Sequence, residues 1–201
     1  AAHCSQELNM SVLSREIGVT VKTIQHWISI LEASYIIFPL QPYFNNLGKR
    51  IVKRPKIYFF DTGLVCHLTA IRNYETLEYG PLAGAVFENY IIAEIKKIFH
   101  HIAADCSMYY YRNNAGLEAD LIIINNISRE INYYEIKSSK TIKPAFSFSL
   151  KQLIELEEKS NKNLFKISGS IIYRGNKIQS LNEKIKFHSV ESLFNNHLFL
   201  R

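Results

Sequence analysis

A chain of 201 residues with 47% apolar and 21% charged residues can bury a substantial core, which excludes wholesale disorder. Twenty-four Lys and Arg against 18 Asp and Glu leave a formal charge of +6, which directs attention to anionic partners. No run approaches the roughly 18 apolar residues of a membrane span, and no signal-peptide core is visible, so a membrane partner is not expected. Cys4, Cys66 and Cys106 are odd in number and scattered, which argues against a disulfide framework and fits a reducing, cytoplasmic setting. Neither Cys66-His67 nor His100-His101 has the spacing of a zinc site. The chain opens on Ala1-Ala2-His3 and is expected to be part of something longer.

The first sixty residues read as one module. Ser11 to Ile17 has the period of a short helix with Leu13 and Ile17 inward; Gly18-Val19-Thr20 makes a turn, and Thr20 caps a second helix. Val21, Ile24, Trp27, Ile28 and Leu31 form the apolar stripe of that second helix. Lys22, Thr23, Gln25 and His26 are left outward, where Lys22, Thr23 and His26 are candidate nucleic-acid contacts. Tyr35-Ile36-Ile37-Phe38 and Lys56-Ile57-Tyr58-Phe59-Phe60 read as paired strands. Between them lie Lys49, Arg50, Lys53 and Arg54, and with Lys56 they make five cations without an intervening acid. Two helices and a basic-armed hairpin describe a winged helix-turn-helix over 1–62, and the arm is the footprint expected for phosphate contact. A Lys-guarded edge strand, or a module that binds only protein, would show the same pattern.

Residues 63–79 read as a connector holding one short helix from Leu64. Pro81 to Phe99 has helical period through Phe87, Ile91, Ile92, Ile95, Ile98 and Phe99, and Glu88 falls on that apolar stripe. Strands follow at Met108–Arg112, Ala119–Asn125 and Ile131–Lys137, then a helix at about 146–159 and a strand at Ser168–Tyr173. The order over 80–201 is αβββαβ. Two short strands over 177–187 and a helix from Val190 to Phe199 close the chain.

Acids in apolar runs are the chemical signal. Asp120 precedes four uninterrupted aliphatic residues, and Glu135 and Lys137 share one face of their strand. A hairpin brings Asp120, Glu135 and Lys137 to one end of a sheet, and burying such charges is costly unless they are paired or bind a cation. Hard oxygen ligands from Glu88, Asp120 and Glu135, with the Ile136 carbonyl, suit Mg²⁺ or Mn²⁺. Lys137 would orient a water and offset charge on a phosphoryl group. Glu118 is read as outside this set, and Gln152 as an exposed helix glutamine.

This order of elements, with Glu88 on a helix, Asp120 on the second strand and Glu135-Ile136-Lys137 on the third, resembles the PD-(D/E)xK nuclease superfamily. Ala119 stands where that motif has its proline. Pro55-Lys56-Ile57-Tyr58-Phe59-Phe60-Asp61-Thr62-Gly63-Leu64, Phe87-Glu88-Asn89-Tyr90, Tyr110-Tyr111-Arg112, Glu118-Ala119-Asp120 and Glu135-Ile136-Lys137-Ser138-Ser139 together resemble an uncharacterised C-terminal domain. That domain is found behind AAA+ type ATPase modules in bacteria and archaea. The resemblance implies an α/β fold, a winged helix-turn-helix followed by a PD-(D/E)xK nuclease-like αβββαβ core. It implies an upstream ATPase in the same chain; ATP belongs to that module, because no Gly-x4-Gly-Lys-Ser/Thr is present here. It also implies a magnesium-dependent endonuclease site acting on DNA through Glu88, Asp120, Glu135 and Lys137. The alternative is a non-catalytic appendage that binds DNA or protein or oligomerises the ATPase.

Overall fold

The computed structural model describes residues 1–44, 54–161 and 164–195. They divide into two compact units. One comprises Ala1–Gln41 with Arg54–Glu94; the other takes Ile95 onward together with the segment beginning at Pro42.

In the first unit Asn9 caps α1 (Met10–Ile17) by accepting the Val12 N–H, and Gly18 ends the helix at φ 78°, a left-handed conformation that glycine adopts without strain. Thr20 caps α2 (Val21–Ala33), its side chain accepting the Thr23 N–H. The stripe expected on α2 is narrower than its sequence period. Ile24 is buried and Ile28 and Leu31 are half-buried, but Trp27 is 44% and Val21 37% exposed. On α1, Leu13 is half-buried and Ile17 is 52% exposed. Period alone fixes which side of a helix is apolar; how much of that side is covered depends on how many neighbours the unit supplies.

β1 (Ile37–Leu40) pairs antiparallel with β2 (Lys56–Phe59), Ile37 facing Phe59 and Leu40 facing Lys56. Their faces carry a run of rings: Phe38 lies 5.7 Å from Tyr58 and 4.7 Å from Phe60, and Tyr35 5.7 Å from Phe60. Within the residues read as a connector, the short helix expected from Leu64 is α3 (Thr62–Leu68), capped by Asp61, and a further helix that the sequence reading did not contain, α4 (Tyr74–Glu78), is capped by Asn73. Val65 of α3 is fully buried with Cys4, Ile37, Ile57, Phe59 and Val86. Helix α5 (Ala83–His101) is divided between the units at Glu94.

Asn89 of α5 ties this unit together. Its Oδ1 accepts the Phe59 N–H at 2.7 Å and the Cys4 thiol at 3.2 Å, while its Nδ2 donates to the Phe59 carbonyl and to Thr62 Oγ1. One fully buried amide thus satisfies both backbone groups of Phe59, while the next N–H, of Phe60, bonds Ile36 O across the pair with β1.

The second unit is mixed α/β, built on a six-stranded sheet of order β3-β4-β5-β6-β8-β7. β3 (Cys106–Arg112), β4 (Glu118–Asn125) and β5 (Glu130–Lys137) run antiparallel in sequence, with β-rich Tyr and Ile runs that suit a covered sheet. After a 3-10 turn at Pro144–Ser147, α6 (Phe148–Asn161) crosses over to β6 (Lys166–Tyr173), which pairs parallel with β5. β7 (Gln179–Ser180) and β8 (Ile185–Ser189) complete the sheet, β8 parallel to β6. α7 (Val190–Asn195) follows; the rest of the helix expected to Phe199 lies outside the described residues.

Leu150, Leu153 and Ile154 of α6 pack on Ile131, Tyr133, Ile171 and Tyr173. Gly169 makes this approach possible, since a Cβ there would stand 3.1 Å from Ile154 Cδ1. The Tyr133 hydroxyl donates to Glu157 Oε2 at 2.7 Å beneath α6, and both residues are buried. The five-residue turn between β3 and β4 is pinned by Asn113, whose Oδ1 accepts the N–H groups of Ala115 and Leu117 at 3.0 Å each.

Asn89→Ala should destabilise the chain by about 2–4 kcal/mol, because it strands the buried backbone N–H and carbonyl of Phe59. Urea denaturation of wild type and variant measures this; a loss near zero would show that solvent replaces the amide.

Candidate functional site

The antiparallel ladder between β4 and β5 runs from Asn125 opposite Glu130 down to Leu121 opposite Tyr134, and there it stops. Two residues further along β5, the Ile136 N–H is taken by a side chain: it donates to Asp120 Oδ2 at 2.7 Å. On the other flank the β3–β4 register shifts, with Tyr109 opposite Ile122 but Tyr111 opposite Ala119. Asp120 and Leu121 therefore stand across from Tyr110 alone, a bulge on β4. Bulges re-aim side chains and terminate pairing. Here the bulge lets the Asp120 carboxylate occupy the place of a backbone acceptor.

The C-terminal end of β5 is opened by this arrangement. A strand residue presents its N–H and C=O to the same side, so the Ile136 carbonyl is directed like its N–H, toward Asp120 and away from β6. Glu135 and Lys137 form an ion pair through Glu135 Oε1 and Lys137 Nζ. Glu135 Oε2 is buried and has no hydrogen-bond partner among the described residues. Asp120 is 6% and Glu135 8% exposed, whereas the Lys137 side chain reaches solvent at 34%.

Electrostatics follow from this crowding. Burial, reinforced by the Asp120 charge, pushes the Glu135 carboxyl up to about 8, against the pull of Lys137. For Lys137 burial acts to lower the pKa, but Glu135, Asp120 and Glu118 outweigh it and hold the ammonium above its ordinary range. The two groups titrate together: Lys137 stays charged, Glu135 loses its proton well above the usual carboxyl range, and a further cation beside it would favour its ionised form.

Residues 83–193 match the family described as "Domain of unknown function (DUF4143)", and residues 1–75 match "Domain of unknown function (DUF8612)". The chain belongs to the DUF4143 family. Domains of this family are typically associated with AAA-type ATPase regions. The uncharacterized proteins Rv2008c of Mycobacterium tuberculosis and Mb2031c of Mycobacterium bovis are each 31% identical over 146 residues. The match covers 72% of this chain and 31% of each relative, so the chain spans about a third of their length. No solved structure matches it.

Of the expected residues, the DUF4143 region brings together Asp120, Glu135, Ile136 and Lys137. Glu88 lies in the first unit, where its Oε1 accepts from Lys56 Nζ at 3.2 Å and from the Tyr58 hydroxyl at 2.5 Å. Among the described residues no three His, Cys, Asp or Glu side chains group closely enough to hold a metal. Lys56 is likewise corrected as a phosphate contact. It is 3% exposed and paired with Glu88, because an inward position on β2 overrides the exposure that its charge suggests. Lys22, His26 and Arg54 are exposed; Thr23 is half-buried, its hydroxyl 2.9 Å from that of Thr20. Lys49, Arg50 and Lys53 lie outside the described residues.

Glu118, read as outside the ligand set, acts on the site from beside it. It lies two residues before Asp120 on β4, and its charge acts on both Glu135 and Lys137. The i, i+2 spacing of Glu118-Ala119-Asp120 was the available signal. The bulge had no such signal, since Leu121 differs in no way from the aliphatics that follow it.

The raised Glu135 pKa has a definite consequence for stability. Between the ordinary carboxyl pKa and about 8 the folded chain holds a proton that the unfolded chain has lost, so the metal-free fold should weaken as pH rises through that window. The slope for this one group is at most about 1.4 kcal/mol per pH unit. Glu135→Gln should flatten the profile; denaturation midpoints of both proteins from pH 5 to pH 9, parallel throughout, would refute it.

Proposed function

We propose that this chain is the nuclease-like C-terminal region of an AAA+ type ATPase, cleaving phosphodiesters of DNA with Mg²⁺ or Mn²⁺. The observation that carries the reading is the carboxylate pair at the end of an interrupted ladder, with one buried carboxylate oxygen that has no hydrogen-bond partner among the described residues, beside a lysine. The αβββαβ order of α5, β3, β4, β5, α6 and β6 supports the PD-(D/E)xK likeness, and α1, α2, β1 and β2 support a winged helix-turn-helix. The DUF4143 match supports an ATPase partner in the same polypeptide.

The donor set fits the cation. Mg²⁺ keeps several waters and takes only one or two protein carboxylates, so Asp120, Glu135 and the Ile136 carbonyl would suffice to hold it. When bound, the ion supplies Lewis acidity at a phosphoryl oxygen and lowers the pKa of a coordinated water. Asp120 is held at the site by the hydrogen bond it accepts from the Ile136 N–H. Glu135 must release its proton to act as a ligand, so affinity for the cation should rise with pH through about 8. Lys137, charged and partly open to solvent, can donate to a phosphate oxygen and offset charge developing there.

One observation favours a second reading, a non-catalytic protein-binding appendage. The exposed side of α2 carries Trp27 and Ile30, 44% and 48% exposed, beside Lys22 and His26. An aromatic anchor of that kind is commoner at protein interfaces than on a phosphate-binding surface.

Calorimetry with Mn²⁺ on wild type and Asp120→Asn/Glu135→Gln separates the readings. Binding by wild type alone, with Asp120→Ala in the full-length protein lowering phosphodiester cleavage by at least about 100-fold, is the expected result. Equal Mn²⁺ binding by both proteins would leave only the appendage reading. The basic arm has its own test: DNA affinity should fall with salt at about −0.9 per neutralised phosphate. Replacing Lys49, Arg50, Lys53 and Arg54 by Ala should flatten that slope, and an unchanged slope would clear the arm of phosphate contact.

A further inference from the structure

Tyr110-Tyr111-Arg112 is not used by the chemistry described so far. Arg112 ends β3 directly across from Glu118, its Nε 3.8 Å from Glu118 Oε2. Both residues flank the turn that Asn113 closes, through its two side-chain acceptances and its own N–H donated to Leu117 O at 3.0 Å. Arg112 therefore stands at a rigid corner of the sheet. Glu118 stands on β4 two residues before Asp120, so the guanidinium is one ion pair removed from the strand end that carries the site. The side chains of Arg112, Glu118 and Lys137 are 46%, 29% and 34% exposed, which forms a solvent-facing lip beside the buried Asp120 and Glu135.

The charge balance states what the lip is for. Glu118, Asp120 and Glu135 repel a polyanion, and Lys137 is already engaged by Glu135. A nucleic-acid strand placed at Lys137 needs a second cation next to the scissile position, and a guanidinium can grip phosphate with two parallel hydrogen bonds. We propose that Arg112 is a phosphate contact of this site, gripping the backbone beside the scissile phosphodiester. The inference rests on the phosphodiester reading above and adds a substrate contact on β3, outside the basic arm.

Anisotropy of labelled single-stranded and duplex oligonucleotides tests it, using the full-length protein with Ca²⁺ in place of Mg²⁺ to prevent cleavage. Arg112→Ala should weaken binding about tenfold, the effect of one charge-assisted contact. Its salt slope should fall by about 0.9, one phosphate fewer. Arg112→Lys should keep the slope and recover part of the affinity, because the charge remains while the fork is lost. Wild type that binds, with Arg112→Ala matching it in affinity and slope, overturns this inference and leaves the phosphodiester reading intact. Equal weakening in both variants with unchanged slope overturns it as well, since that is the mark of a structural role. A wild type that binds neither oligonucleotide overturns both.

Discussion

A single hydrogen bond, from the Ile136 N–H to the Asp120 carboxylate, organises the C-terminal end of the β4–β5 pair. Had the ladder continued, the backbone of β4 would have taken that N–H and closed the gap between the strands. With a side chain in its place, β5 keeps a satisfied donor while β4 turns aside at the bulge. The Ile136 carbonyl, the Glu135 carboxylate and the Lys137 ammonium are then gathered at an opening and not sealed in a sheet. A side chain that replaces a ladder bond exchanges regularity for an exposed acceptor, and sheets make that exchange where ligands bind.

The surroundings make the opening rigid. α6 covers the same sheet through Leu150, Leu153 and Ile154, and Gly169 permits its approach. The Tyr133–Glu157 hydrogen bond lies within this covered region and keeps a buried carboxylate satisfied. Glu135 Oε2 has no such partner among the described residues, although it too is withdrawn from water. The contrast between two buried glutamates on neighbouring elements, one satisfied and one not, separates a structural acid from a functional candidate.

The first unit uses its buried polar groups differently. Lys56 and Glu88 offset each other's charge while the Tyr58 hydroxyl donates to the same carboxylate, and Asn89 serves Phe59 of β2. Glu88 and Asn89 are adjacent on α5, so successive helix residues engage the same strand by ion pair and by amide. This gives Glu88 a structural task that its position on an apolar stripe did not reveal. It also removes Lys56 from the surface, while Trp27 and Ile30, which helical period assigned in part to the core, face solvent.

Local order was largely legible in the sequence, because period, caps and turn residues act over a few positions. Asn9, Thr20 and Gly18 mark the ends of α1 and α2 in their own chemistry, and the alternation in Tyr133-Tyr134-Glu135-Ile136-Lys137 set Glu135 beside Lys137. The pairing of Asp120 with the end of β5 was legible too, as two acids in apolar runs joined by a hairpin. Which lysine is buried, how much of α2 is covered, that residues 74–78 form a helix and that α3 packs into the core, and where the β4–β5 ladder ends were decided by tertiary structure. Each of these depends on a partner distant along the chain: Glu88 for Lys56, the core around Val65 for α3, the Ile136 N–H for Asp120. Sequence carries the preferences of a residue, and only the fold supplies the neighbour that satisfies or overrides them.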